Sequence, residues 1–277
     1  MEKNIGFLLI ACCILTFQIS GVCASNPSPE QLVAEHLKSI GNPTTISQIK
    51  SVVLTGNAAV NFIIGATGIP NQRGTFTVVS QGPKIGIAMN FPDKHNYPGE
   101  HFAYDGKNVT VANYTIGRKS NLADFIHQYN KIMKNGILGG VISNAWPLLY
   151  TKSNKANMKV RKTKYSGAEV YELEYRPRDY HGDMKIRMYF DTETCRHLHT
   201  EYRVQTMNSG TVGTLVESFG DFRKTGDLTL PHRYSLNFSV TQNVSTMARF
   251  NANWVMENLE WGFNAPDIDQ KFFNTEK

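Results

Sequence analysis

The sequence predicts a mainly β (α+β) fold, built on one large curled antiparallel sheet with N-terminal helices and a helical lid over its concave face. Three observations carry this. Segments of period two recur from Val52 to Phe263, bounded by Gly, Pro, Asn and Asp. Segments of helical period are confined to the start of the chain and to one interruption between residues 120 and 150. With about ten or eleven strands and two or three helices, a doubly wound fold is excluded. Most strands have one apolar and one polar face, so the sheet packs on one side and is wetted on the other. A sheet of that size curls.

The elements follow in order. Ser28-Pro-Glu-Gln31 is a helix start, with a Ser cap, Pro at the first position and Gln three after the cap. That helix runs to about Ile40 and ends at Gly41-Asn42-Pro43, and a short second helix spans Thr45 to Lys50. Strands are predicted at Val52 to Ile64, Gly74 to Gln81 and Lys84 to Phe91, the last two joined at Gly82-Pro83. His101 to Tyr104 and Val109 to Tyr114 flank Asp105-Gly-Lys-Asn108, a hairpin signal. Asn121 to Asn135 has helical period, and a glycine-rich apolar stretch through Gly139-Gly140 to Trp146-Pro147 follows it. This segment reads either as a lid over an apolar cavity or as a helix capping the open face.

Strands resume at Met158 to Tyr165, Glu169 to Arg176, Lys185 to Asp191 and Arg196 to Val204. Phe219-Gly-Asp-Phe-Arg223 reads as a break before a strand that begins at Leu230-Pro-His. In the long final strand, Thr246 to Phe263, the apolar phase switches near Val255, which predicts a bulge there. The sequence shows no repeat or linker, so residues 25–277 are expected to form one domain, with 120–150 as its helical insertion.

The start of the chain reads differently. Ile5 to Ile19 is apolar but short for a spanning helix, and Val22-Cys-Ala24 supplies a cleavage pattern. Residues 1–24 are therefore expected to be a cleaved signal peptide that sends the chain to the periplasm. Lipid anchoring is the alternative, through Leu9-Ile-Ala-Cys12 or Ser20-Gly-Val-Cys23. Of the 4 cysteines, Cys12, Cys13 and Cys23 fall within that leader, so Cys195 is expected to stand alone with no internal disulfide. The net charge of +6 comes from Lys and Arg spread over polar strand faces. That fits a solvated face or an envelope membrane surface, and no recognition-helix or zinc-finger pattern points to nucleic acid.

The chain has no Gly-x-Ser-x-Gly elbow, no P-loop and no dinucleotide glycine motif. His197, His199 and Glu201 alternate along one strand and would share a face, a possible zinc set, but a polar outer face explains them equally. His181-Gly-Asp183 and the Asp191/Glu193 pair read as turns. His232 reads as a core histidine. No catalytic residue, no metal ligand and no cofactor is expected.

Several pieces, in order, resemble the LolA-like superfamily of bacterial periplasmic lipoprotein-carrier and lipoprotein-sorting proteins. They are Leu32-Val-Ala-Glu-His-Leu-Lys-Ser-Ile-Gly41 with Ile46-Ser-Gln-Ile-Lys-Ser-Val53, Tyr104-Asp-Gly-Lys107, and Tyr189-Phe-Asp-Thr-Glu-Thr194. Phe219 to Arg223 with Leu230 to Arg233, and Pro266 to Phe273, complete the set. The resemblance implies an unclosed β-barrel with a helical lid over an apolar cavity that binds acyl chains. It implies a non-catalytic carrier for lipid or lipoprotein acyl chains. The alternative is a structural or interaction β-domain of the cell envelope without a ligand cavity. The apolar residues expected to form lid and cavity are Phe125, Ile126, Tyr129, Met133, Leu138, Val141, Trp146, Met188, Tyr202 and Leu236.

Overall fold

The computed structural model describes residues 23–64, 71–92, 97–112, 120–150, 156–177, 184–206, 210–242 and 245–276. The expected leader up to residue 22, the Leu9–Cys12 lipidation pattern and the His181–Asp183 turn lie outside the described residues. Twelve strands form one antiparallel sheet, in the order β5-β4-β3-β2-β1-β12-β11-β10-β9-β8-β7-β6. They are β1 Ser51–Ile64, β2 Gln72–Gln81, β3 Lys84–Asn90, β4 Gly99–Tyr104, β5 Val109–Val111 and β6 Asn157–Tyr165. The others are β7 Ala168–Arg176, β8 Lys185–Asp191, β9 His197–Thr206, β10 Thr211–Thr225, β11 Leu228–Gln242 and β12 Ser245–Phe263. The sheet is not closed: β5 and β6 are its edges.

Chain neighbours pair through short turns of recognisable chemistry. At the β4–β5 turn the Asp105 carboxylate accepts from the Lys107 and Asn108 amides at 2.8 and 2.7 Å. At the β8–β9 turn Asp191 does the same for Glu193 and Thr194, at 3.1 and 2.7 Å. One long-range pairing joins the two halves: β1 lies against β12, so the first and last strands meet in the middle of the sheet.

Among the described residues four α-helices accompany the sheet: α1 Pro29–Ile40, α2 Pro43–Gln48, α3 Asn121–Gln128 and α4 Lys131–Lys134. The capping box at Ser28 forms as the sequence predicts, with Gln31 and Ser28 bonding reciprocally. The single helix expected over Asn121 to Asn135 is divided. Tyr129 leaves helical geometry (φ −108°, ψ 40°) and lays its ring on Phe125 with centroids 5.0 Å apart. After α4 the chain makes two 3-10 turns, Gly140–Ile142 and Pro147–Tyr150.

Left-handed residues mark other departures from the expected pattern. Phe219 to Arg223 does not break the strand. β10 runs straight through it: Gly220 pairs with Arg233 and Phe222 with Pro231 in unbroken register, although Asp221 between them is left-handed (φ 52°). The bulge in β12 falls at Asn258 (φ 53°), three residues beyond Val255, opposite the irregularity at Thr55/Asn57. Asp and Asn are the non-glycine residues best suited to that conformation.

The inner face of the sheet and the insertion form one apolar core, in which Leu54, Phe76, Ile126, Met133, Trp146 and Trp254 are fully buried. Cys23 joins the same core. Cys23 is bonded to Cys195, which corrects the expectation that the chain holds no disulfide.

Candidate functional site

The apolar hollow lies at the helical end of the sheet. α1 supplies Leu37 and Ile40, and α2 with its flanks supplies Pro43, Ile46 and Ile49. The insertion contributes Val141, Asn144 and Leu149, and the floor is Val52 of β1, Leu228 and Leu230 of β11, and Trp261 and Phe263 of β12. Together they enclose about 210 Å³. The aromatic floor is fixed: Trp261 donates its indole N–H to Pro231 O at 3.0 Å and stacks on Phe263 at 6.0 Å. The helical wall is equally fixed. Gly41 caps α1 so close to the β10–β11 turn that a Cβ there would lie 2.7 Å from Leu228 Cδ2. The polar side chains in the lining are Ser47, whose hydroxyl donates to Thr44 O at 2.8 Å, and Asn144. Among the described residues that line the hollow there is no carboxylate, histidine or cysteine.

Two buried polar groups pin the insertion beside this hollow. Glu217, on the inner face of β10, accepts from the Gly139 amide at 2.7 Å and from the Tyr234 hydroxyl. The Tyr202 hydroxyl lies 2.6 Å from the other Glu217 oxygen and 3.1 Å from Ile137 O. Burial pushes the Glu217 carboxyl up to about 7, against the pull of the two tyrosines and the Gly139 amide. The second group is a histidine pair. His197 stacks on Trp146 at 5.1 Å, and His36 of α1 meets Trp146 edge-on at 5.3 Å. Burial lowers His36 to about 4 and holds His197 well below 6.5, so both rings are neutral at pH 7. Gly140 makes the close approach possible: it is left-handed (φ 51°), and a Cβ would lie 2.7 Å from Phe219 Cζ and 3.3 Å from His197.

The sequence-predicted residues distribute as follows. Phe125, Ile126, Met133, Leu138, Trp146, Met188, Tyr202 and Leu236 are buried in the core, with Tyr129 and Val141 packed against it. Of the ten, Val141 lines the 210 Å³ hollow. Phe125 and Tyr129 border a second, more polar one of about 180 Å³ between α3 and β9–β11. The His197, His199 and Glu201 set does not share a face. Leu198 is looped out between Tyr189↔His199 and Phe190↔His197, which turns His197 inward. His199 then bonds Ser218 at 2.9 Å and Glu201 bonds Arg187 at 2.9 Å. Among the described residues no cluster of His, Cys, Asp and Glu could hold a metal. His232 is half-buried and bonds Leu230 O at 3.1 Å. Glu217 was missed, although it interrupts the apolar alternation Leu215, Glu217, Phe219 and that interruption was readable.

Among the described residues no helix is long and apolar enough to cross a membrane. No family model and no curated protein matches the chain. Among solved structures it is similar to a DUF1329 family protein from Desulfovibrio piger, at 10% identity over 90% of this chain and 99% of that one, with a TM-score of 0.45. It is also similar to MucB in complex with MucA(peri), at 9% identity over 83% of this chain and 93% of that one, with a TM-score of 0.20. A Pseudomonas aeruginosa MucA/MucB complex matches at 9% identity over 82% and 94%, also with a TM-score of 0.20. Likenesses this remote carry no argument about what the chain does.

Proposed function

We propose that the chain is a LolA-like, non-catalytic binding or carrier protein of the periplasm, and that the hollow between α1–α2 and β12 receives part of an acyl chain. The supporting observation is the hollow itself, about 210 Å³ and walled by aliphatic and aromatic side chains. A cavity of roughly 150 Å³ holds a benzene ring, so this one suits a short run of methylenes rather than a whole lipid. Each buried methylene contributes roughly 0.8 kcal/mol, with no catalytic group needed. Access is by way of α2, where Ile46 and the capping residue Ile49 are half-buried. The segment through Trp146 is packed and pinned.

The test is titration of the purified, delipidated protein with a fluorescent fatty acid, alongside native mass spectrometry of the untreated protein. Saturable one-to-one binding is expected, together with loss of binding in Ile46→Trp, which fills the hollow. A folded protein that binds nothing would sink the reading. It would leave the second one, an envelope interaction domain, which is favoured by the packed interior beneath Phe125, Met133 and Trp146.

A further inference from the structure

We propose that Cys23 belongs to the mature exported protein as the disulfide partner of Cys195, and that the leader is cut on the N-terminal side of Cys23. The pairing does not stand alone. Both cysteines are buried. The Cys23 amide donates to Glu193 O at 3.0 Å, and the Tyr171 hydroxyl donates to Ala24 O at 3.0 Å. The receiving turn is built around the same point. Cys195 is left-handed (φ 54°), its amide donates to Asp191 O at 3.0 Å, and its carbonyl lies 3.0 Å from His36 Nδ1 of α1. Residues 23 and 24 are thus docked on the β7–β9 strands by a covalent bond and two hydrogen bonds, immediately before the α1 capping box.

The other fates of Cys23 exclude this bond. A cut after Ala24 removes the residue. Lipidation of Cys23 ties up its sulfur in a thioether, and a thioether sulfur cannot also bond Cys195. A cut after Gly21 has a small residue directly before the break. Such a cut discards Cys12 and Cys13 with the leader and leaves two cysteines, an even number. Forming the bond removes two protons and two electrons from the thiols. The acceptor is the disulfide of a thiol–disulfide oxidoreductase outside the cytoplasm, which is reduced to a dithiol.

The full chain, leader included, should be expressed in a bacterium that exports it, and the envelope fraction alkylated without reductant, digested and analysed by mass spectrometry. The expected result is an N-terminal peptide beginning upstream of Cys23, linked to the Cys195 peptide, with both cysteines alkylated after reduction alone. In Cys195→Ser, Cys23 should become alkylable without reductant. The proposal is overturned by a terminus at Ser25, by an uncut Met1, by a diacylglycerol mass on Cys23, or by two free thiols in the unreduced protein. A Cys23 that stays blocked in Cys195→Ser would equally overturn the pairing.

Discussion

Glu217 and His197 are polar side chains on the inner face of the sheet, and each is held there by a local device. Glu217 follows the strand's own alternation inward and meets two tyrosine hydroxyls and the Gly139 amide. Glu217→Leu leaves the Gly139 amide and the Tyr234 hydroxyl buried without an acceptor, and Tyr202 with Ile137 O alone, and should cost roughly 3 kcal/mol or more, read as a loss of denaturant midpoint. The pH dependence has two arms. The folded value of Glu217, about 7 against an ordinary 4.5, means its stabilisation is full below about pH 4.5 and is lost as pH rises through 7. His36 is lowered from 6.5 to about 4, so the unfolded chain takes the proton first and stability falls as pH drops from 6.5 toward 4. Each arm amounts to roughly 3 kcal/mol at most. The two arms overlap and oppose each other between about pH 4.5 and 6.5, so thermal melts of the native chain should change little there, and Glu217→Gln should unmask the acid-side fall. The alternation rule could have flagged Glu217. It could not flag His197, because one looped-out residue, Leu198, reverses the phase of everything before it.

At the level of elements, local signals worked where the chemistry is local. The Ser28 capping box, the Asp105 and Asp191 turns and the hairpin at Gly82 all form as the sequence predicts. They failed where a distant contact decides. The insertion's helix is divided at Tyr129, β10 runs in register through the left-handed Asp221 where a break was expected, and the bulge in β12 falls at Asn258. The insertion is held by what it touches. Trp146→Ala should cost roughly 3–5 kcal/mol, and Gly140→Ala roughly 1–3 kcal/mol because of the close Phe219 ring, both measured by chemical denaturation. The Cys23–Cys195 bond ties the residues before α1 to the β8–β9 turn across 172 residues of chain. Reduction should lower stability by roughly 2–4 kcal/mol, visible as a melting temperature that drops with added dithiothreitol and does not drop further in Cys195→Ser.

Across the whole molecule, the open sheet and its wet and dry faces were legible because period-two alternation is repeated in strand after strand. The hollow was not legible. Its walls come from residues 37–52, 141–149 and 228–263, and they meet because β1 pairs with β12 in the middle of the sheet. Apolar periodicity in the insertion pointed to the right side of the sheet. What it could not show was that most of that surface is consumed in packing. Trp261 lies in the floor of the hollow, whereas Trp146 and Trp254 are fully buried outside its lining. That makes tryptophan quenching by a brominated fatty acid the most direct measurement. Saturable quenching should be seen in the native chain, be lost in Trp261→Phe, and survive in Trp146→Phe. Quenching that persists in Trp261→Phe, or none in a folded protein, would contradict the assignment of the hollow as an acyl-chain site.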